Sequence, residues 1–357
     1  MGSAGHVSWF EEVGLGDRAH VGGKGGSLGE LERAGIAVPP GFVVRTEAFE
    51  RFIGALERES PVRGAVVAVD AEDLEAVTAC SKALRARVEE ASLPSDVQEE
   101  IASAHAALCS GDAAAAVAVR SSATTEDATD ASFAGLQDTY LWVLGAAEAL
   151  RMVRSCWASL YSVESISYRR THGFPEDGVA MAVVVQRMVN ARTAGVMFTR
   201  SPTTGDRSVV TIEGAWGLGS AVVGGEVTPD RWVLGKVTGE ISVREISDKA
   251  IQHVPASASQ GGKSAGGIET IEVPPDRRRV PCLSDEELQQ LRAIARKVER
   301  HYGRPQDIEW AIETGTSEIL LLQSRPETVW SAREAVPAAH PAENPLAHVM
   351  SIFGGRK

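Results

Sequence analysis

Apolar side chains change their spacing several times along this chain, and each change marks an element. Between residues 70 and 110 they recur at three-, four- and seven-residue steps, as in Leu74, Val77, Leu84 and Val88, which predicts helix. Residues 145–172 are helical again. From Ser284 to Tyr302 the stripe Leu288, Leu291, Ile294, Ala295 and Val298 predicts an amphipathic helix. Ser284 and Glu287 open it as a capping box and Gly303 stops it. Two helices are predicted nearer the start. Ser27–Ala34 has Ser27 and Glu30 as a capping box and Gly35 as its stop, and Thr46–Leu56 opens on a Thr cap.

Other stretches run apolar or alternate. "VPPGFVV" reads as extended, and "AAVAVR" (115–120) as a short strand that delivers Arg120. "MAVVVQRMV" (181–189) and "AGVMFT" (194–199) are strands separated by a polar turn. From 208 onward short strands and turns dominate, and 254–275, rich in Ser, Gly and Pro, reads as a flexible surface loop. "DIEWAIE" puts Ile308, Trp310 and Ile312 on one face and Asp307, Glu309 and Glu313 on the other. "ILLLQSR" puts Ile319, Leu321, Gln323 and Arg325 on one face, and "TGTSE" between the two predicts an antiparallel hairpin. A five-residue loop sets Glu309 opposite Gln323, with Cβ atoms roughly 5 Å apart. A slip of one residue would break that pairing.

The 357 residues give room for two subdomains with a real core. Asp plus Glu number 48 against 36 Lys plus Arg, a net charge of −12 that argues against non-specific nucleic-acid binding but leaves room for a local basic pocket. The four cysteines, Cys80, Cys109, Cys156 and Cys282, are widely spaced, so neither a zinc site nor a disulfide framework is indicated. No apolar run reaches membrane-spanning length and no basic-then-apolar leader opens the chain, so the expectation is a cytoplasmic protein with no membrane partner.

Four stretches carry candidate chemistry. In "VGGKGGSLGEL" glycines flank Lys24, a cation suited to phosphate, but Arg18 and Gly25 stand where a Walker A loop requires Gly and Ser or Thr. Gly14, Gly16 and Ala19 fit GxGxxA without the strand and helix a dinucleotide site requires. "RSSATTEDATDASFAGLQDTYL" places Arg120 at a strand end with Ser and Thr hydroxyls after it, then Gly135, Gln137 and Thr139. "EGAWGLGS" ends a strand on Glu213 amid glycines. Glu309 and Gln323 are hard oxygen donors fit for Mg²⁺, with Arg325 beside them for a phosphate oxygen. Each stretch alone also fits an ordinary role: a glycine-rich turn, a solvated loop, or the polar face of a hairpin.

Together, in one order, "GGKGGSLGELERAGIAVPPGFVV", "AVRSSATTEDATDASFAGLQDTYL", "VQRMVNARTAGVMFT", "EGAWGLGSAVV" and "DIEWAIE…LLQSRPET" closely resemble the N-terminal ATP-binding module of phosphoenolpyruvate synthase, pyruvate phosphate dikinase and rifampicin phosphotransferase. The resemblance covers residues near 10 to 330. It implies an α+β ATP-grasp fold whose two subdomains, 1–190 and 191–330, clamp a nucleotide, followed by an extended or disordered tail at 331–357. It implies ATP and Mg²⁺ as cofactors. Lys24, Arg120 and Arg325 would hold the triphosphate and act in catalysis, and Gly135, Gln137 and Thr139 would form a loop over it. Gln186, Met188 and Val189 would line the hinge against adenine, Glu213 would make a polar contact near the ribose or hinge, and Glu309 and Gln323 would bind the metal.

The same resemblance implies a dikinase reaction in which the β-phosphate of ATP passes to a histidine on a swivelling domain and AMP and phosphate leave. Two departures qualify it. Ser220 stands where the family has an acid after "WGLG", and none of the eight histidines lies in a Gly-Gly-x-x-Ser-His loop. The expectation is therefore the ATP-binding subunit of a split dikinase, active with a partner subunit that carries the phosphohistidine and an acceptor site for pyruvate or a phenol-type hydroxyl. The alternatives are an excised module of a full-length phosphoenolpyruvate synthase or rifampicin phosphotransferase, and an inactive nucleotide-binding regulatory protein.

Overall fold

The computed structural model describes residues 5–110, 112, 114–124, 138–256 and 266–334. Strands β1 (Val7–Trp9), β2 (Gly41–Val44), β3 (Ala116–Ala123), β4 (Thr139–Leu144) and β5 (Met181–Arg187) form an antiparallel sheet ordered β1-β2-β5-β3-β4. Beyond it come β6 (Ala191–Phe198), β7 (Val209–Trp216), β8 (Asp230–Gly235) and β9 (Ile241–Glu245), a separate hairpin of β10 (Ile251–Pro255) and β11 (Ile268–Glu272), and then β12 (Gln306–Glu313) and β13 (Ile319–Pro326). Apart from that hairpin these strands build a second antiparallel sheet, ordered β13-β12-β6-β7-β8-β9. Helices α1 (Arg18–Arg33), α2 (Thr46–Glu57), α3 (Arg63–Ala68), α4 (Leu74–Glu90), α5 (Ser95–Leu108), α6 (Ala146–Ser159) and α7 (Val163–Thr171) accompany the first sheet, and α8 (Ser220–Val223), α9 (Asp285–Tyr302) and α10 (Val329–Glu334) accompany the second. Helices packed on antiparallel sheets make the fold α+β. Among the described residues no helix is long and apolar enough to cross a membrane.

Strands β2, β3 and β5 of the first sheet are buried on both faces, and alternation decides which core each residue joins. Along β5, Val183 and Val185 enter a large core with Val117, Phe42 and Trp157, while Ala182 and Val184 face Val21 and Leu28 of α1. Trp157 stacks on Phe52 at 5.1 Å and meets Phe49 edge-on at 5.8 Å, and its indole N–H donates to the Met181 carbonyl at 3.1 Å. The buried ring thus keeps its one polar atom satisfied. In the second core the α9 stripe, Leu288, Leu291, Ala295 and Val298, packs with Trp232, Ile308, Trp310 and Leu321 of the sheet.

Helix α1 serves both halves. Leu31 belongs to the second core, and the buried Ser27 hydroxyl donates to the Ser324 carbonyl of β13 at 2.5 Å. Ser27 is therefore an interior contact and not the predicted cap, because α1 starts nine residues earlier at Arg18. Thr46 likewise lies inside α2 after the N-cap Arg45, and its hydroxyl donates to the Ala19 carbonyl. Leu74 opens α4 and is 67% exposed, whereas Val77, Leu84 and Val88 are buried as expected. The stretch 254–275, expected to be one loop, begins in the last two residues of β10 and contains β11, its antiparallel partner, with 257–265 outside the described residues. The segment expected to be extended from 331 begins as the last residues of α10, whose Trp330 indole donates to the Pro202 carbonyl at 3.0 Å.

Helix α9 has the predicted box. Glu287 N–H donates to the Ser284 hydroxyl at 3.2 Å, Ser284 N–H donates to the Glu287 carboxylate at 2.8 Å, and Gly303 closes the helix at φ +67°. Ser284→Ala is predicted to lower unfolding free energy by about 1 kcal/mol. Urea denaturation of the two proteins measures it, and an unchanged midpoint would mean that the box contributes nothing.

Candidate functional site

A cavity of about 1090 Å³ is walled by strands of both sheets. Its first wall depends on Gly22. A φ of +69° there breaks the helical run inside α1, and a Cβ would stand 2.1 Å from the Ser122 carbonyl oxygen, so the close crossing requires glycine. Ser122 fastens the break. Its hydroxyl donates to the Val21 carbonyl at 2.9 Å and accepts from Gly25 N–H at 3.2 Å. Lys24 lies within this staple and lines the cavity, as does Arg120 of β3.

The second wall depends on a bulge. Glu309 pairs with Gln323 as expected, but Trp310 pairs with Leu321, so Leu322 has no partner across the strand. Strict alternation would put Leu321 and Gln323 on one face. The extra residue lets Leu321 join the core while Gln323 lines the cavity beside Glu309. It also turns the Leu322 carbonyl toward Arg120, whose Nη1 donates to it at 2.9 Å.

Arg120 Nη2 donates to Glu309 Oε2 at 3.1 Å and to Gln323 Oε1 at 2.5 Å. A single guanidinium from the first sheet therefore gathers three oxygens of the second. Its Nε is buried and has no hydrogen-bond partner. Among the described residues no cluster of three His, Cys, Asp or Glu side chains is poised for a metal. Two hard oxygens that already meet at one cationic atom do fit Mg²⁺, which takes its remaining ligands from phosphate and water.

The other expected residues are distributed as follows. Thr139 is exposed at the start of β4, the register partner of Arg120. Buried Gln186 donates to the Pro39 carbonyl at 3.2 Å, and Met188 N–H donates to the Ala116 carbonyl at 2.9 Å. Val189 clusters with Ala194, Ala311 and Leu322, an apolar slot where the two halves join. Arg325 lines the cavity with its Nε 3.6 Å from Asp307, whose carboxyl burial pushes up to about 6 against the pull of Arg325. Gly135 and Gln137 lie outside the described residues.

Glu213 does not line the cavity. It lies in the row Glu309–Val196–Glu213–Arg231, two strands away from Glu309, and its carboxylate stands 3.9 Å from Arg231. Burial holds its pKa above the usual carboxylate value, with Arg231 opposing. The structure also brings to the wall residues that local sequence reading does not single out, among them Trp142, Glu226 and His253. Trp142 has φ +56°, and its carbonyl accepts from Gly267 N–H at 2.9 Å, which ties β4 to the β10–β11 hairpin. Partners so distant in the chain leave no local signal.

Residues 18–344 match the family model described as pyruvate phosphate dikinase, AMP/ATP-binding domain. A probable phosphoenolpyruvate synthase of Methanocaldococcus jannaschii is 41% identical over 324 residues, which is 90% of this chain and 26% of that protein. Another, of Methanothermobacter thermautotrophicus, is 42% identical over 325 residues, 90% of this chain and 46% of that protein. The chain thus spans less than half the length of either relative. A solved D-alanyl-alanine synthetase A from Vibrio cholerae O1 aligns with 70% of this chain and 54% of its own at 11% identity and a TM-score of 0.24, too slight a likeness to bear on the fold. With the family match extending over most of its length, the chain belongs to the pyruvate phosphate dikinase AMP/ATP-binding domain family.

Proposed function

We propose that the chain is an ATP-grasp module that binds ATP with Mg²⁺ between subdomains 1–190 and 191–330 and passes the β-phosphoryl group to a histidine on another domain, releasing AMP and phosphate. The observation that carries this reading is the Arg120 clasp: one cation holds two metal-type oxygens in a cavity of nucleotide size that Lys24 also lines. The apolar slot at Val189, Ala194 and Ala311 suits the flat face of a base, with Gln186 and Met188 next to it. Lys24, Arg120 and Arg325 supply the positive charge that phosphoryl transfer requires around a reacting phosphate.

In this reading Mg²⁺ would sit on Glu309 and Gln323 and offset the phosphate charge. Arg120 releases those oxygens and turns its donors, the unpartnered Nε included, to phosphate. Thr139, exposed next to Arg120, adds a hydroxyl donor. Together with Gly135 and Gln137 it belongs to the proposed cover over the triphosphate. Glu213 is left out of the site, since it does not line the cavity and lies 3.9 Å from Arg231.

The carrier histidine is supplied by a domain outside these residues. We place it, with the acceptor site for pyruvate or a phenol-type hydroxyl, on a partner subunit. The greater length of the relatives favours a second arrangement, in which such domains share one longer chain with this module. Incubation with ATP, Mg²⁺ and a candidate carrier domain tests the reaction in either arrangement. AMP and phosphate are the expected products. ADP alone would rule out the dikinase reading, and nucleotide binding with no turnover by any carrier would favour a regulatory protein.

Two substitutions test the site. Arg120→Ala is predicted to cut AMP formation at least about 10²-fold, as loss of a transition-state donor does, while circular dichroism reports a folded chain. Unchanged turnover would remove Arg120 from the site. Glu309→Gln is predicted to weaken ATP binding about tenfold in Mg²⁺ and much less in EDTA, measured by titration calorimetry. An equal loss in both buffers would deny Glu309 its metal role.

A further inference from the structure

We propose that Ser220, His253 and Glu226 form a relay that makes Ser220 a nucleophile, a site of covalent modification by phosphonyl or sulfonyl electrophiles entering the cavity. All three line the cavity wall, on the side of β7 and β10. Ser220 opens the short turn α8. Glu226 follows that turn, where its N–H donates to the Ala221 carbonyl at 3.0 Å. His253 arrives from β10, and the backbone fixes the meeting. Leu218 N–H donates to the His253 carbonyl at 2.9 Å, and a Cβ at Gly217, φ +76°, would stand 2.4 Å from the same oxygen.

The order of the hydrogen bonds sets the chemistry. Ser220 Oγ lies 2.8 Å from His253 Nδ1, and His253 Nε2 lies 3.3 Å from Glu226 Oε2. An ionised carboxylate only accepts, so Nε2 carries the ring proton and Nδ1 accepts from the Ser220 hydroxyl. A hydroxyl bonded to a base, with the base oriented by a third group, is the arrangement that activates serine. His253 is 5% exposed while Ser220 is half-buried, so the base is shielded and the hydroxyl remains open to the cavity.

In the step, Ser220 Oγ attacks the phosphorus of a fluorophosphonate or the sulfur of a sulfonyl fluoride. The O–P or O–S bond forms, the bond to fluorine breaks, fluoride leaves with its electron pair, and the hydroxyl proton passes to His253 Nδ1. None of the three residues is assigned to ATP, so the relay and the nucleotide reading stand or fall separately.

The test treats the full chain, without nucleotide, with phenylmethylsulfonyl fluoride and with an alkyl fluorophosphonate, and maps adducts by mass spectrometry. The expected result is one adduct on Ser220, absent from Ser220→Ala. His253→Gln keeps a hydrogen-bonding side chain that takes no proton, and it should slow labelling about 10²-fold. If that variant melts early, Glu226→Gln, changed at an exposed side chain, carries the same test with a several-fold slowing. Ser220→Cys should be alkylated at position 220 by iodoacetamide in the folded protein. Labelling elsewhere with Ser220 unmodified, labelling at Ser220 that neither His253→Gln nor Glu226→Gln slows, or a Ser220→Cys thiol closed to iodoacetamide would each overturn the relay.

Discussion

The hydrogen bonds of one guanidinium join the two halves of the cavity. Arg120 stands on β3 of the first sheet, and its three oxygen partners, Leu322, Glu309 and Gln323, all belong to the second. A planar fork of donors meets three acceptors at once, where a lysine would bring a single point charge. With its side chain only 10% exposed, the cation requires an anion nearby, and Glu309 provides it. Gln323 adds an oxygen without a second negative charge. The cluster is therefore close to neutral with no ligand present. A phosphate entering beside Glu309 upsets that balance unless a cation comes with it.

Several backbone devices exist to aim this one contact. The bulge at Leu322 turns a carbonyl toward Arg120 and delivers Gln323 to the cavity. The left-handed break at Gly22 lets α1 cross Ser122 closely enough for two hydrogen bonds, which set Lys24 on the same wall. Farther along α1, Ser27 bonds the backbone of β13 at Ser324, one residue past Gln323. Helix α1 thus carries Lys24 to the cavity and braces the strand that holds Gln323. Substitutions at these glycine and serine positions act on the site without touching a ligand.

The sequence was legible where the signal is local. The capping box at Ser284 held because an apolar stripe of matching period follows it. The same motif at Ser27 misled, because the helix already runs through it and the hydroxyl has a partner in β13, nearly three hundred residues away. The pairing of Glu309 with Gln323 followed from loop length, yet simple alternation could not reveal the bulge that separates Gln323 from Leu321. Glu213 shows the limit most plainly. It shares a sheet face with Glu309, and only its position two strands over, against Arg231, distinguishes the two acids. The meeting of Ser220 with His253 and Glu226 depends on a chain crossing at Gly217, which no local pattern encodes.

Charge explains why such a site can lie in an acidic protein. The chain carries 48 acidic against 36 basic side chains, but among the described residues the cavity wall reverses the sign, with Lys24, Arg120, Arg187 and Arg325 against Glu148, Glu226 and Glu309. An acidic exterior repels a long polyanion, whose charges extend beyond the opening and meet the surface. A small anion meets that field only on approach. Once inside, it meets a wall on which cations outnumber acids by one, and charges there are less screened than on the open surface. The exterior thus disfavours a long polyanion, whereas the cavity offers a short one a small local excess of positive charge.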